Sequence, residues 1–195
     1  TLEAPGTPAN IAKSIGKATI AFSNSFSQRP LDAILVLGDR YEILAATQAA
    51  LVMSIPIAHI HGGEITHGSI DDSIRHAITK MANIHFPATT QFADRLCQLG
   101  ENRNSVFTVG SPGIDNIINT PMMSRLELEK SLGFTLTEDI AIVTYHPVTR
   151  TDESGENDIQ PLINAILQNP QFTYIITHAN ADSGGAEIIR QWQRL

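Results

Sequence analysis

Short runs of strand formers, each stopped by a turn residue, alternate with helical stretches from Leu31 to Val109, and this alternation limits the fold more than any other feature. Leu31 to Leu37 is an almost unbroken apolar run that ends at Gly38, the pattern of a strand buried on both faces. Ile43 to Met53 is rich in Ala and Leu without a breaker and predicts a helix. Ile55 to Ile60 predicts the next strand, with Pro56 tolerated near its start. Ser69 then caps a helix whose first turn carries Asp71 and Asp72, and Asp72 sits where a capping box places its acid. Ile70, Ile74, Ala77, Ile78 and Met81 form the expected core stripe of that helix, leaving Asp71, Arg75 and Thr79 on another face. Ile84 to Phe86 predicts a strand, Gln91 to Leu99 a helix closed by Gly100, and Val106 to Val109 a strand stopped by Gly110-Ser111-Pro112-Gly113. Such an order specifies an α/β fold with a doubly wound parallel sheet.

The alternation pauses after Ile114, where helical composition is interrupted at Pro121, and resumes with a strand over Ile140 to Tyr145, a helix over Ile159 to Leu167 and a strand over Phe172 to Thr177. Two domains are therefore expected, residues 1–120 and 121–195, divided near Pro121. At 195 residues, 42% hydrophobic and 17% charged, the chain can bury a substantial core. Its formal charge of -7 opposes broad attraction to nucleic acid or to an anionic membrane surface. Apolar runs fall short of the roughly 20 residues of a membrane helix, and no signal-peptide pattern opens the chain. The single Cys97 makes no internal disulfide and reads as a buried free thiol, which fits a reducing cytoplasm. Because the chain starts on Thr1 and closes on Trp192-Gln193-Arg194-Leu195 within a helical pattern, it reads as a fragment.

Ligands of open α/β sheets bind beyond the carboxyl ends of the strands, so the acids that end the first two strands define where chemistry is expected. The first strand ends in Gly38-Asp39-Arg40 and the second in His61-Gly62-Gly63-Glu64. Asp39 either projects into a cleft or caps the next helix, and Arg40 either grips a phosphate or is solvated. Asp71 and Asp72 have a purely structural reading as first-turn acids, and Asp71 with Arg75 also fits a surface pair. His59 and His61, two apart on a strand, share a face. They are the basis of a rival metal-site reading that would need further ligands such as His67, Asp39, His146 or His178. In the second half, His146-Pro147 ends a strand, and the loop from Thr177 to Gly185 suits a diphosphate at a helix start. Neither a dinucleotide fingerprint nor a Walker lysine loop is present.

G-D-R-Y-E at Gly38 to Glu42, H-I-H-G-G-E-I-T at His59 to Thr66 and I-D-D-S-I-R-H-A-I-T-K at Ile70 to Lys80 together resemble the hydrolysing UDP-N-acetylglucosamine 2-epimerases. V-G-S-P-G-I-D-N-I at Val109 to Ile117 and T-Y-H-P-V-T at Thr144 to Thr149 extend the resemblance over nearly the whole chain. It implies a fold like the GT-B glycosyltransferases, two Rossmann-like domains with the active site in their cleft, and neither metal nor cofactor. It also implies that parts of both domains are missing here. The implied reaction eliminates UDP from a UDP-sugar and hydrates the resulting 2-acetamidoglucal to N-acetylmannosamine, in the synthesis of sialic-acid-like sugars. A diacetamido-trideoxy sugar nucleotide fits the same motifs.

By matching motif, Asp39 and Asp71 are catalytic carboxylates, His146 lies beside the diphosphate, and Arg40, Arg75, Asn180 and Ser183 bind substrate. The family glutamate is replaced by His61, so that either His61 or Glu64 takes its task. Further copies of the chain, as a dimer or tetramer, are the expected partners. Two readings of other classes stand beside this one: a metal-dependent hydrolase using His59 and His61, and a nucleotide-binding module without catalysis.

Overall fold

The computed structural model describes residues 7–146, 159–179 and 185–194. Contacts divide the chain into two compact units, Thr1–Asp115 and Asn116–Leu195.

The first unit begins with α1 (Pro8–Gln28), started by Thr7, whose hydroxyl accepts from the Asn10 N–H at 3.2 Å, and by Pro8 at the first helical position. Three parallel strands follow in spatial order, β1 (Ile34–Leu37), β2 (Ile57–Ile60) and β3 (Ile84–Phe86), connected by α2 (Tyr41–Val52) and α3 (Ile70–Met81). Register pairs Leu37 with Ile60 and Ile60 with Phe86, so the three strands end level. The same ladder continues past the strands, through Gly38 N–H to the Ile60 carbonyl at 3.0 Å and His61 N–H to the Phe86 carbonyl at 3.1 Å. That continuation places the turns after β1 and β2 side by side.

One face of this sheet carries the core. Ile11, Val36, Tyr41, Ala50, Ile57, Ile74 and Ile78 pack there, drawn from α1, from β1 and β2 and from the two crossover helices. The other face of β1 is open: Leu35 and Leu37 remain 64% and 52% exposed, contrary to the expectation of a strand buried on both sides. Side chains alternate across a strand, and the helices of this unit that contact β1 lie on the Val36 side. In α3, Ile74 and Ile78 are buried with Ile70 and Met81 against them, but Ala77 is exposed, so the core stripe is narrower than its spacing predicts. Val106 to Val109 does not form a regular strand. It adds one parallel bridge, Val106 to His85, and two ladder bonds, Phe107 N–H to the His85 carbonyl and Val109 N–H to the Pro87 carbonyl.

The helix α4 (Thr90–Gln98) is capped by Thr89 and packs Ala93 and Leu96 inward. Cys97 on it is only partly covered, with Sγ 3.7 Å from Arg103 Nη1, because the inward positions at that spacing are taken by Ala93 and Leu96. Glu101 fastens this corner, meeting Lys80 at 2.5 Å and the buried His85 at 3.2 Å.

The second unit contains α6 (Arg125–Leu132), which follows α5 (Pro112–Asn119) and opens with a full capping box between Ser124 and Glu127. Two parallel strands, β4 (Ile140–Val143) and β5 (Thr173–Ile176), pair Ile140 with Thr173, and α7 (Gln160–Gln168) and α8 (Gly185–Trp192) complete the unit. Its core gathers Ile159, Ile163, Ala179 and Ile188 with Tyr145, Ile189 and Trp192 around them.

The end of α2 shows how much local chemistry the tertiary fold overrides. Ile55 N–H bonds to the Ala50 carbonyl at 2.9 Å and Ser54 N–H to the Leu51 carbonyl at 3.1 Å, the bond pattern of a Schellman motif, with Ser54 at φ 58° where glycine is usual. Ser54→Gly removes the Cβ penalty of the left-handed conformation and should stabilise the protein by about 1 kcal/mol. A urea unfolding midpoint equal to or below that of the parent would contradict this.

Candidate active site

Asp39 follows Gly38, which takes φ +83° and turns the chain sharply out of β1. The cap position of α2 is Arg40, and no side chain caps that helix, so Asp39 is not spent as an N-cap. Its carboxylate instead accepts from Arg75 Nη2. Arg75 reaches it from α3 with its side chain only 5% exposed, a position that helical spacing alone assigns to the polar face. The same Nη2 donates to Thr66 Oγ1 at 2.8 Å, and Nη1 lies 3.6 Å from Asp72 Oδ1. Asp72 also accepts from the Thr66 N–H at 2.8 Å, so it ties the 61–69 loop to the start of α3 while balancing Arg75. Withdrawing so much of a guanidinium from water is sustained by two carboxylates, and removing one partner of such a pair costs about 3–5 kcal/mol.

Asp71 lies half-buried in the first turn of α3, where its Oδ2 accepts from the Ser69 hydroxyl at 2.7 Å and its N–H donates back to the same oxygen at 3.1 Å. Ser69 thus caps the helix as its sequence position predicts. Arg40 Nε donates to Glu42 at 3.3 Å, and its guanidinium stands 5.3 Å from the Tyr41 ring centroid.

His61 leaves the ladder with φ 66°, a left-handed conformation that is uncommon outside glycine. His61 and His59 therefore do not share a face, although their spacing predicts it. His61 Nδ1 lies 2.6 Å from Glu64 Oε1, and since a carboxylate only accepts, Nδ1 carries a proton and donates it to Glu64. Ser111 Oγ stands 3.4 Å from Nε2. The turn between the pair is fixed from behind by α4: a Cβ on Gly63, at φ +83°, would come within 2.4 Å of the Phe92 carbonyl oxygen. Arg95 donates to the Gly63 carbonyl and stacks over Phe92, 5.7 Å from its centroid.

His59 is fully buried on β2, with Nε2 2.8 Å from the Gly38 carbonyl and Nδ1 3.3 Å from Thr79 Oγ1. Both ring nitrogens are met by protein groups. The metal reading built on His59 and His61 therefore loses its pair, one ring being enclosed and the other turned away; no group of three potential metal ligands occurs among the described residues.

His146 lies in the second unit, exposed just after β4. Asn180 and Ser183 fall outside the described residues. Thr66, Asp72, Thr79, Ser111 and Arg95 were not singled out as site residues by sequence. Thr66, Asp72, Thr79 and Ser111 lie inside the quoted motifs, which was the available signal; Arg95 lies outside them.

The model of the UDP-N-acetylglucosamine 2-epimerase family matches residues 2–195. The chain belongs to this family. Among curated members, it is 39% identical over 92% of its length to a GDP/UDP-N,N'-diacetylbacillosamine 2-epimerase (hydrolyzing) of Campylobacter jejuni. It is 36% identical over 94% to the corresponding UDP-N,N'-diacetylbacillosamine enzyme of Legionella pneumophila, and 37% identical over 89% to a UDP-N-acetylglucosamine 2-epimerase of Neisseria meningitidis. The chain spans about half the length of these relatives, 47%, 49% and 45% respectively. Its fold is that of the GT-B-type 2-epimerases: a Neisseria meningitidis structure bound to UDP-GlcNAc superposes with a TM-score of 0.71 at 17% identity, covering 93% of this chain and 51% of that one. Among the described residues no helix is long and apolar enough to cross a membrane.

Burial holds the His59 ring neutral, with its pKa lowered to about 4 although the bond to Gly38 opposes the shift. The unfolded ring takes its proton near the ordinary 6.5, so the unfolded state binds more protons between the two values. Stability is therefore full above pH 6.5 and falls as the pH drops towards 4, by about 3 kcal/mol in all. Urea midpoints measured across that window should decline for the parent and lose most of this slope in His59→Gln; parallel profiles would contradict the assignment.

Proposed function

We propose that the protein is a hydrolysing 2-epimerase acting on a UDP-linked 2-acetamido sugar. The observation that carries this reading is that Asp39 and the His61–Glu64 pair stand at the level carboxyl ends of adjacent parallel strands, with Arg75 held between α3 and Asp39. Family membership supplies the chemistry. A base takes the C2 proton while the C1–O bond to UDP breaks and its electron pair leaves with the diphosphate, giving the 2-acetamidoglucal. Water then adds its oxygen to C1, and a proton returns to C2 on the opposite face.

Carboxylates and a histidine suit the proton steps, because each can be held within hydrogen-bond reach in a water-poor site. Asp39 is the carboxylate assigned to proton transfer, and Asp71 stands at the start of α3 in the position that the family motif gives its acid. His61 and Glu64 are assigned to one task together rather than to alternatives. Glu64 holds the Nδ1 proton and orients the ring, leaving Nε2 as the proton-transferring atom, which places a histidine–carboxylate couple at the position where the family resemblance implies a glutamate. Arg40 and Arg75 oppose the negative charge of the substrate. His146, Asn180 and Ser183 are assigned to the diphosphate and nucleotide by motif.

The sugar is the open choice between two substrates. UDP-N-acetylglucosamine fits the family description, while the diacetylbacillosamine relatives from Campylobacter jejuni and Legionella pneumophila favour a diacetamido-trideoxy sugar. Incubating the full-length protein with each nucleotide sugar in heavy water, followed by NMR, decides it. Free UDP and a C2-deuterated 2-epimer are expected from one of the two. Binding of UDP with no turnover of either sugar would instead identify a nucleotide-binding module.

Two substitution series test the roles. Asp39→Asn should lower kcat by about 10²-fold or more with UDP affinity changed only a few-fold, since the shape stays while the base is lost. His61→Ala and Glu64→Gln should each lower kcat strongly, and the double variant should be hardly worse than His61→Ala, as for groups that act as one unit. Additive losses would mean that the two residues act separately.

A further inference from the structure

His59 is a buried titratable group that the proposed chemistry leaves without a task, and its surroundings give it one. The Gly38 carbonyl can only accept, so His59 Nε2 carries the ring proton and donates to it at 2.8 Å. The neutral ring then presents Nδ1 as an acceptor, and the Thr79 hydroxyl donates to it at 3.3 Å. Thr79 and the ring are both fully buried, so neither contact has water as a substitute. The accepting carbonyl belongs to the peptide group whose nitrogen is that of Asp39. Fixing that peptide plane fixes the direction in which the Asp39 side chain leaves the turn.

The other end of the relay reaches the same carboxylate. Thr79 lies one helical turn after Arg75 on α3, and Arg75 is the residue that donates to Asp39. The imidazole therefore spans β1, β2 and α3 at the level where Asp39 is gripped. The packing around it leaves no slack: a Cβ on Gly62 would lie 3.1 Å from His59 Nδ1 and 3.2 Å from Thr79 Oγ1. The glycine after His61 is thus also set by this relay.

We propose that His59, through its neutral Nε2–H tautomer and with Thr79 as its donor, is a positioning residue that holds the Gly38–Asp39 peptide and so aims the Asp39 carboxylate at the reacting centre. This rests on the catalytic reading of Asp39 given above. A shift of the carboxylate by even an ångström weakens proton transfer far more than it weakens the grip on the nucleotide.

The test uses the full-length protein and three variants. His59→Leu removes the donor to Gly38, His59→Gln keeps an N–H at the position of Nε2, and Thr79→Val removes only the hydroxyl. Each is measured for kcat, KM and UDP affinity, and by NMR of the Gly38 carbonyl, the Asp39 amide and the Arg75 guanidinium. His59→Leu should lower kcat about tenfold or more, with KM and UDP affinity within about twofold, and should shift all three groups of resonances. His59→Gln should recover most of kcat and the parental shifts. Equal losses in the Leu and Gln variants, or unmoved Asp39 and Arg75 resonances in His59→Leu, would overturn the proposal. If His59→Leu does not fold, Thr79→Val decides: a kcat reduced about threefold with a displaced Asp39 amide supports the relay, and parental values for both overturn it. Absence of turnover in the parent protein would count against the epimerase reading alone, since the resonances of Asp39 and Arg75 still report the positioning.

Discussion

The Arg75 guanidinium is the point on which the first unit's functional edge depends. It is a charge almost wholly withdrawn from water, and it remains there because Asp39 arrives from the turn after β1, Asp72 from the start of its own helix, and Thr66 from the loop between. Three separate pieces of chain are thereby joined by one planar group. Arginine suits this better than lysine, since its guanidinium presents several N–H donors in one rigid plane. The arrangement also explains why acids cluster at this edge: part of their charge answers a buried cation, and only part is available for chemistry.

A second constraint comes from α4. The turn that carries His61 and Glu64 has no freedom behind it, since the Phe92 carbonyl occupies the space a side chain at Gly63 would need and Arg95 holds the Gly63 carbonyl. His61 takes a left-handed backbone in this turn, a conformation that costs of the order of 1–2 kcal/mol for a residue with a Cβ. What the strain achieves is geometric: the imidazole leaves the line of β2, turns away from buried His59 and meets Glu64. Two histidines two residues apart in sequence thus serve in different surroundings, one dry and neutral, the other half-exposed and paired with a carboxylate.

Much of this was legible from residue order. Breaker-bounded apolar runs located the strands of both sheets among the described residues to within a few residues, although the run Val106–Val109 before Gly110, expected as a strand, gives only one bridge to His85. Ser69 was readable as a cap because its hydroxyl and the first free N–H groups of α3 are neighbours in sequence. Three of the readings that failed share a cause. Leu35 and Leu37 were expected inside, Ala77 in the core stripe and Cys97 under cover, and each depends on which neighbouring element covers which face. Composition alone carries no such information. Asp72 looked like an ordinary first-turn acid, and its link to Arg75 and Thr66 is set by how the 61–69 loop folds back over the helix. The long helix α1 was not anticipated, although Ile11, Ile15, Phe22 and Phe26 recur in it at helical spacing; its place is fixed by packing along α2.

The sequence by itself determined the α/β class, the parallel order of strands and crossovers, the family, and the two strand ends at which charged residues gather. These follow from local periodicity and from motifs that are contiguous in the chain. Only the tertiary structure decided which of those charges face one another, that Arg75 is buried rather than solvated, that His59 is enclosed while His61 is paired, and that Thr79 and Asp72 belong to the same assembly. Those are contacts between residues up to 36 positions apart, such as Asp39 with Arg75, and burial makes each depend on the shape of every element around it.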